Sequence, residues 1–229
     1  MSQAQRKLSK TDIRMRFDTL IFDLDGTLIN TLEDLKNSVN YALGEMGYPP
    51  RTLDEINRFV GNGVARLVKL SVPAGASEAD TEKCLGFFKA HYKAHSAVKT
   101  APYEGIIPML SEAKEKGLKT AVVTNKMEEA AVDIVKGFFG DNIDVIIGQR
   151  DGLAQKPAPD GVLKAIGLLG SDKSRCIYIG DSEVDCLTAR NSGLPIIGCT
   201  WGFRGREVLE REKADFIIDT PRGIFDCIE

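Results

Sequence analysis

The chain has 229 residues, 43% of them hydrophobic and 28% charged, with a formal net charge of -3. That length buries a substantial core, as one large domain or as a core with a smaller insertion, and the composition excludes disorder and fibrous repeats. The slight acidity offers no global attraction to nucleic acid or anionic lipid, so an anionic substrate must be met locally.

Residues 1–14 (MSQAQRKLSKTDIR) are polar and basic without a helical stripe, and are expected to form a disordered extension dispensable for folding. No apolar run is long enough to span a bilayer, and the first residues lack the apolar centre of a secretory signal. The expectation is a cytoplasmic protein, monomer or homodimer, with no membrane or nucleic-acid partner. Cys84, Cys176, Cys186, Cys199 and Cys227 are widely spaced, odd in number and without a C-x-x-C pair, so they read as reduced and mostly buried.

From Phe17 onward short apolar runs alternate with helical patterns, the order of a parallel sheet covered by helices. The first predicted strand is Thr19 to Phe22. The stretch from Thr31 to Ala97 then interrupts the alternation with helix patterns only. Leu32, Leu35, Val39, Leu43 and Met46 recur at helical spacing, and Thr31 with Asp34, Thr52 with Glu55 and Ser77 with Asp80 resemble capping boxes. A helix follows at Ile107 to Lys116, a strand at Thr120 to Val123, a helix at Glu128 to Phe139 and a strand at Val145 to Ile147. Helices at Asp160 to Leu169 and Glu183 to Ser192 alternate with strands at Cys176 to Ile179, Pro195 to Cys199 and Phe216 to Ile218. Gly117 and Gly193 stand where left-handed helix caps are wanted. Residues 15–30 and 99–229 are therefore expected to form an α/β core, and 31–98 a small inserted helical cap.

The chemistry-bearing residues fall at strand ends, where open parallel sheets bind ligands. FDLDGTL, Phe22 to Leu28, puts Asp23 and Asp25 after the first strand. By itself such a pair is a polar turn. Thr124 and Asn125 end the next strand, where a hydroxyl and backbone N–H groups suit phosphate oxygens. Lys156 lies in QKPAPD, where Pro157 and Pro159 restrict the backbone ahead of a helix. GDSEVD, Gly180 to Asp185, brings Asp181 and Asp185 to the same edge. Each signal alone is a cap or a surface charge; their joint order makes coincidence improbable.

In this order of motifs the sequence resembles the haloacid dehalogenase superfamily, more narrowly its phosphoglycolate phosphatase-like branch with a helical cap, over residues 15 to 229. The resemblance implies a Rossmann-like parallel sheet with helices on both faces and Mg2+-dependent hydrolysis of a small phosphate monoester, 2-phosphoglycolate being the best single guess. It implies that Asp23 attacks phosphorus and that Asp25 serves as acid, then base. It also implies that Mg2+ would be held by Asp23, the Asp25 backbone carbonyl and Asp181, with Asp185 behind them. On the same resemblance Thr124, Asn125 and Lys156 would hold the phosphoryl group, Lys156 also acting in catalysis. Asp25 favours a phosphate-ester hydrolase or mutase over the superfamily's ATPases and phosphonate-cleaving members, and Thr27 favours a phosphatase.

In the insertion, FVGNGVARLVKL resembles that branch's substrate-specificity loop, with Asn62 and Arg66 placed to meet the leaving group. His91 and His95 share a helix face but lack a well-spaced third metal ligand. Trp201, in TWGFRGRE, is expected to pack a loop near the site. Pyrophosphatase, nucleotidase, sugar phosphatase or β-phosphoglucomutase activity would reuse the same residues. A noncatalytic phospholigand-binding scaffold is the alternative of another class, and it has no need of Asp25 beside Asp23.

Overall fold

A computed structural model of the protein describes residues 16–228; the expected extension at 1–14 lies outside the described residues. In chain order the elements are β1 (Thr19–Phe22), β2 (Ile29–Asn30), α1 (Leu32–Glu45), α2 (Leu53–Phe59), α3 (Gly63–Ser71), α4 (Glu78–His95), β3 (Ala101–Pro102), α5 (Ile106–Glu115) and β4 (Lys119–Met127). They continue as α6 (Glu128–Phe139), β5 (Val145–Gln149), α7 (Asp160–Leu169), β6 (Cys176–Gly180), α8 (Glu183–Ser192), β7 (Ile196–Cys199), α9 (Arg206–Arg211), β8 (Phe216–Ile218) and α10 (Ile224–Ile228).

Six strands pair in parallel in the order β5-β4-β1-β6-β7-β8. Successive strand residues point to opposite faces, and both faces are covered. Leu20, Phe22, Val122, Ile177 and Ile179 pack with α5, α6 and α10, whereas Ile21, Ala121, Val123 and Tyr178 pack with α7, α8 and α9. Burial of each such Leu, Ile or Phe side chain contributes roughly 1.5–3 kcal/mol. Near-continuous apolar runs were the right sign of strands enclosed on both sides. β4 runs past its predicted end at Val123 to Met127, with a register shift against β5, so Thr124 and Asn125 lie within a strand rather than directly before a helix.

Helices α1 to α4 surround an apolar cluster of their own, built on Leu35, Val39, Leu43, Ile56, Leu67 and Phe88. The predicted stripe of α1 therefore faces inward. Thr52 and Glu55 form the expected reciprocal cap of α2, an interaction of about 1 kcal/mol. Ser77 Oγ accepts from the Asp80 amide at the start of α4.

The expected Thr31–Asp34 box does not form: Thr31 makes no side-chain cap, and its buried hydroxyl has no partner among the described residues. Asp34 instead accepts from the amides of Lys99 and Thr100 and from Thr100 Oγ1, at 2.8–3.0 Å. Those stronger long-range partners stand where the chain leaves the helices. There β2 and β3 pair antiparallel, Ile29 with Pro102 and Asn30 with Ala101.

Candidate active site

Because β4 and β6 flank β1, the segments after these three strands meet at one edge of the sheet. The Asp23 amide donates to Ile179 O at 2.9 Å, fixing the turn after β1 against β6. Gly26, with φ at +90°, carries the chain so close to Asp181 that a Cβ there would stand 2.6 Å from its carboxylate oxygens. Gly202 approaches from the other side under the same constraint, its hypothetical Cβ 2.3 Å from the Asp181 Cβ. Only glycine fits at either position.

One cavity between the sheet edge and the helices is lined by Asp23, Asp25, Thr124, Asn125, Lys156 and Asp181. Lys156 Nζ lies 2.7 Å from Asp23 Oδ1, 2.8 Å from Asp185 Oδ1 and 3.1 Å from the Tyr178 hydroxyl. Burial opposes the lysine's charge, but Asp185 and Asp23 hold its pKa well above the usual value. Burial raises the Asp23 pKa to about 7 against the pull of Lys156, with Asp185 and Asp25 adding to the rise. A carboxyl half protonated near neutrality is a poor nucleophile until more positive charge arrives.

Asp181 is the least compensated of the group. Its oxygens accept from Thr27 Oγ1 and the Phe203 amide, and no cation touches it among the described residues. Burial, then the charges of Asp185 and Asp23, push its pKa well above the usual carboxylate range. Asp23, Asp181 and Asp185 each offer an oxygen within 4.8 Å of the others. A hard divalent cation fits this all-oxygen set. Asp185 is already engaged on both oxygens: Oδ1 meets Lys156 and Tyr178, and Oδ2 accepts from the Asp181 and Ser182 amides and Ser182 Oγ. Its free capacity is the smallest of the three.

Thr124 Oγ1 accepts from the Lys126 amide. The Asn125 side chain grips the Lys156 backbone, accepting from its N–H at 2.8 Å and donating to its carbonyl at 3.1 Å. These side-chain bonds hold Lys156 in place; the phosphate contact expected at this strand end is a separate one, through a hydroxyl and backbone N–H groups. Asn62 is half-buried ahead of α3 and Arg66 is exposed on that helix; neither is among the residues that line the cavity. Trp201 Nε1 donates to Thr27 O at 3.0 Å, bracing the loop that carries Asp25. His91 and His95 stack with centroids 4.1 Å apart, and their Nδ1 atoms meet Ser38 Oγ and the His91 carbonyl.

Three lining residues escaped the sequence reading. Lys126 Nζ bonds Asp25 Oδ1 at 2.9 Å and the Tyr92 hydroxyl at 2.6 Å. Arg204 pairs with Glu183 and donates to the carbonyls of Asn57 and Val60 at the end of α2, while Asn57 Nδ2 donates to Phe203 O. The period-two rule puts Lys126 on the same strand face as Thr124 and could have found it. Tyr92 sits on a helix where its ring reads as core, and Arg204 lies in a loop without periodicity.

The family described as haloacid dehalogenase-like hydrolase matches residues 20–199. The chain is 36% identical to a phosphoglycolate phosphatase of Agrobacterium fabrum over 87% of each chain, and 32% identical to one of Caulobacter vibrioides over 90% of each. A solved structure from Lactobacillus delbrueckii subsp. bulgaricus has a TM-score of 0.88 at 33% identity, covering 93% of this chain and 99% of that one. A haloacid dehalogenase-like family protein from Streptococcus pneumoniae has a TM-score of 0.84 at 24% identity, over 93% and 98% of the two chains, a likeness of fold.

Proposed function

The chain belongs to the haloacid dehalogenase-like hydrolases and is a phosphatase of small phosphate esters; we propose 2-phosphoglycolate as its substrate, Asp23 as its nucleophile and Mg2+ as its cofactor. One observation carries the mechanistic reading: Asp23, salt-bridged to Lys156, shares a cavity with Asp25, Thr124 and Asp181. The names of the curated relatives support the substrate.

In the first half-reaction an Asp23 oxygen forms a bond to phosphorus while the ester P–O bond breaks. The Asp25 carboxyl gives its proton to the departing alcohol oxygen. Asp25 Oδ2 has no hydrogen bond among the described residues, whereas Oδ1 is held by Lys126, so one oxygen is fixed and the other is free for the transfer. Asp25 then removes a proton from water, whose oxygen attacks phosphorus and displaces Asp23. Thr124 meets the phosphoryl oxygens, and the Lys156 charge offsets repulsion between carboxylate and phosphate. Asn125 keeps the Lys156 backbone in register, and Asp185 orients its ammonium group. Mg2+, when bound by Asp23, the Asp25 backbone carbonyl and Asp181, supplies neutralisation of the transferring group.

The test is phosphate release from 2-phosphoglycolate, pyrophosphate, nucleotides and sugar phosphates, with Mg2+ and with chelator. Asp23→Asn nearly preserves volume and should retain the fold by circular dichroism while turnover falls on the order of 10⁴-fold or more. Undiminished turnover in the folded variant would remove Asp23 as nucleophile.

A further inference from the structure

We infer that the Lys126 ammonium and the Tyr92 hydroxyl form an anion subsite for the alcohol half of the substrate, selecting phosphomonoesters whose leaving group carries a carboxylate. The inference rests on the phosphatase reading of the same cavity and assigns the selecting residues.

Three cations line that cavity, and they differ in what they have left to give. Lys156 has three hydrogens and three partners, Asp23, Asp185 and Tyr178. Arg204 has five hydrogens and uses three, one on Glu183 and one each on the carbonyls of Asn57 and Val60, so its guanidinium is pinned to the end of α2 and, unlike Lys126, has no bond to Asp25. Among the described residues Lys126 has three hydrogens and two partners, Asp25 and Tyr92.

Tyr92 is in the same position. A lysine only donates, so the Tyr92 oxygen accepts from Lys126, and its own hydrogen has no acceptor among the described residues. Both residues are 5% exposed. A buried donor without a partner is unfavourable, and here two such donors sit side by side. A carboxylate, with two acceptor oxygens, satisfies both at once, and the ammonium makes one bond charge-assisted.

Their location specifies the half of the substrate that is read. Lys126 binds the residue proposed to protonate the leaving oxygen, so an anion on these donors belongs to the leaving group rather than to the phosphoryl group. The rest of the wall there is apolar, with Leu35, Val64 and Leu67 from the helices. A leaving group with no acceptor leaves the two donors unpaired, and an amide offers them one uncharged acceptor oxygen in place of two.

The experiment compares kcat/KM for 2-phosphoglycolate and for 2-phosphoglycolamide, which replaces the carboxylate by an amide of the same size. The wild type should prefer the carboxylate by roughly 10-fold or more, the value of one charged hydrogen bond. Tyr92→Phe keeps the Lys126–Asp25 pair and should cut that ratio severalfold; Lys126→Met should bring it near one, and Lys126→Arg should restore part of it. Because Lys126 also touches Asp25, the substrate ratio is the readout rather than the rate. If Lys126→Met fails to fold, the Tyr92→Phe ratio decides. A ratio unchanged in Tyr92→Phe and Lys126→Met overturns the subsite. So does a wild type that releases phosphate equally from both compounds, which leaves the phosphatase reading standing. A wild type inert towards both compounds and towards para-nitrophenyl phosphate with Mg2+ overturns the phosphatase reading together with the subsite.

Discussion

The sheet edge and the helical insertion face one another across the cavity with opposite chemistry. The sheet side brings Asp23, Asp25, Asp181, Lys126 and Lys156, tied by salt bridges and backbone amides to neighbouring strands. The insertion brings Leu35, Val60, Val64 and Leu67, and Tyr92 is its polar side chain among the described lining residues. A few polar links join the two: Tyr92 to Lys126, Arg204 to the end of α2, and Asn57 to Phe203. Groups that must act within a fraction of an ångström are thus built on strands. The discriminating pair is divided between the two, Lys126 on a strand and Tyr92 on a unit held through its rim.

The comparison breaks most readily at the joint. Asp34 is buried and accepts from two amides and a hydroxyl on the returning chain. Asp34→Ala leaves those donors unpaired and should cost roughly 3 kcal/mol, or about 6–12 °C in a chain of this size. A thermal melt checks it; a shift below about 1 °C would mean that the insertion is anchored elsewhere.

The charged side is sharpened by Mg2+ and pH together. Folding raises Asp23 from an ordinary value of 3.8 to about 7. Between those values the folded chain holds the extra proton, so the stabilisation is complete below about pH 4 and is lost as pH rises through 7. A divalent cation replaces the missing positive charge, so its stabilisation should be larger at pH 8 than at pH 5. At 100 times its Kd the cation adds about 2.7 kcal/mol, roughly 5–10 °C. Melts in chelator and in Mg2+ at both pH values measure the difference, and equal gains would contradict the assignment of the carboxylate cluster.

The smallest effect is expected on the outer surface of the insertion. Arg66 is exposed and does not line the cavity. Arg66→Ala should leave kcat/KM for 2-phosphoglycolate within about twofold, since exposed side chains away from partners contribute little. A selective loss of about 10-fold would return leaving-group recognition to α3.

Sequence was most informative where structure is periodic and chemistry is clustered at strand ends. β1, β6 and the carboxylates after them were legible because a strand enclosed on both faces is apolar until its last residue, and charge begins abruptly there. Lys126 was missed because β4 continues beyond its apolar run and mixes polar residues with paired ones. The Thr31–Asp34 box failed for a different reason. Its pattern is local, but the amides that win Asp34 lie 65 and 66 residues away along the chain. β2 and β3 are two residues each, too short to display a period. Arg204 acts on backbone carbonyls, which have no signature in a sequence.

The β2–β3 ribbon has a consequence for how this protein can be recombined. Outgoing and returning chain pass through a single doorway, one strand spacing of about 4.8 Å wide. A two-residue Asn-Gly turn has the geometry to join Asn30 to Ala101 as a hairpin. The same junction accepts a graft: a foreign helical unit spliced there would leave the strand order β5-β4-β1-β6 untouched and would inherit a ready-made bed of carboxylates and ammonium groups.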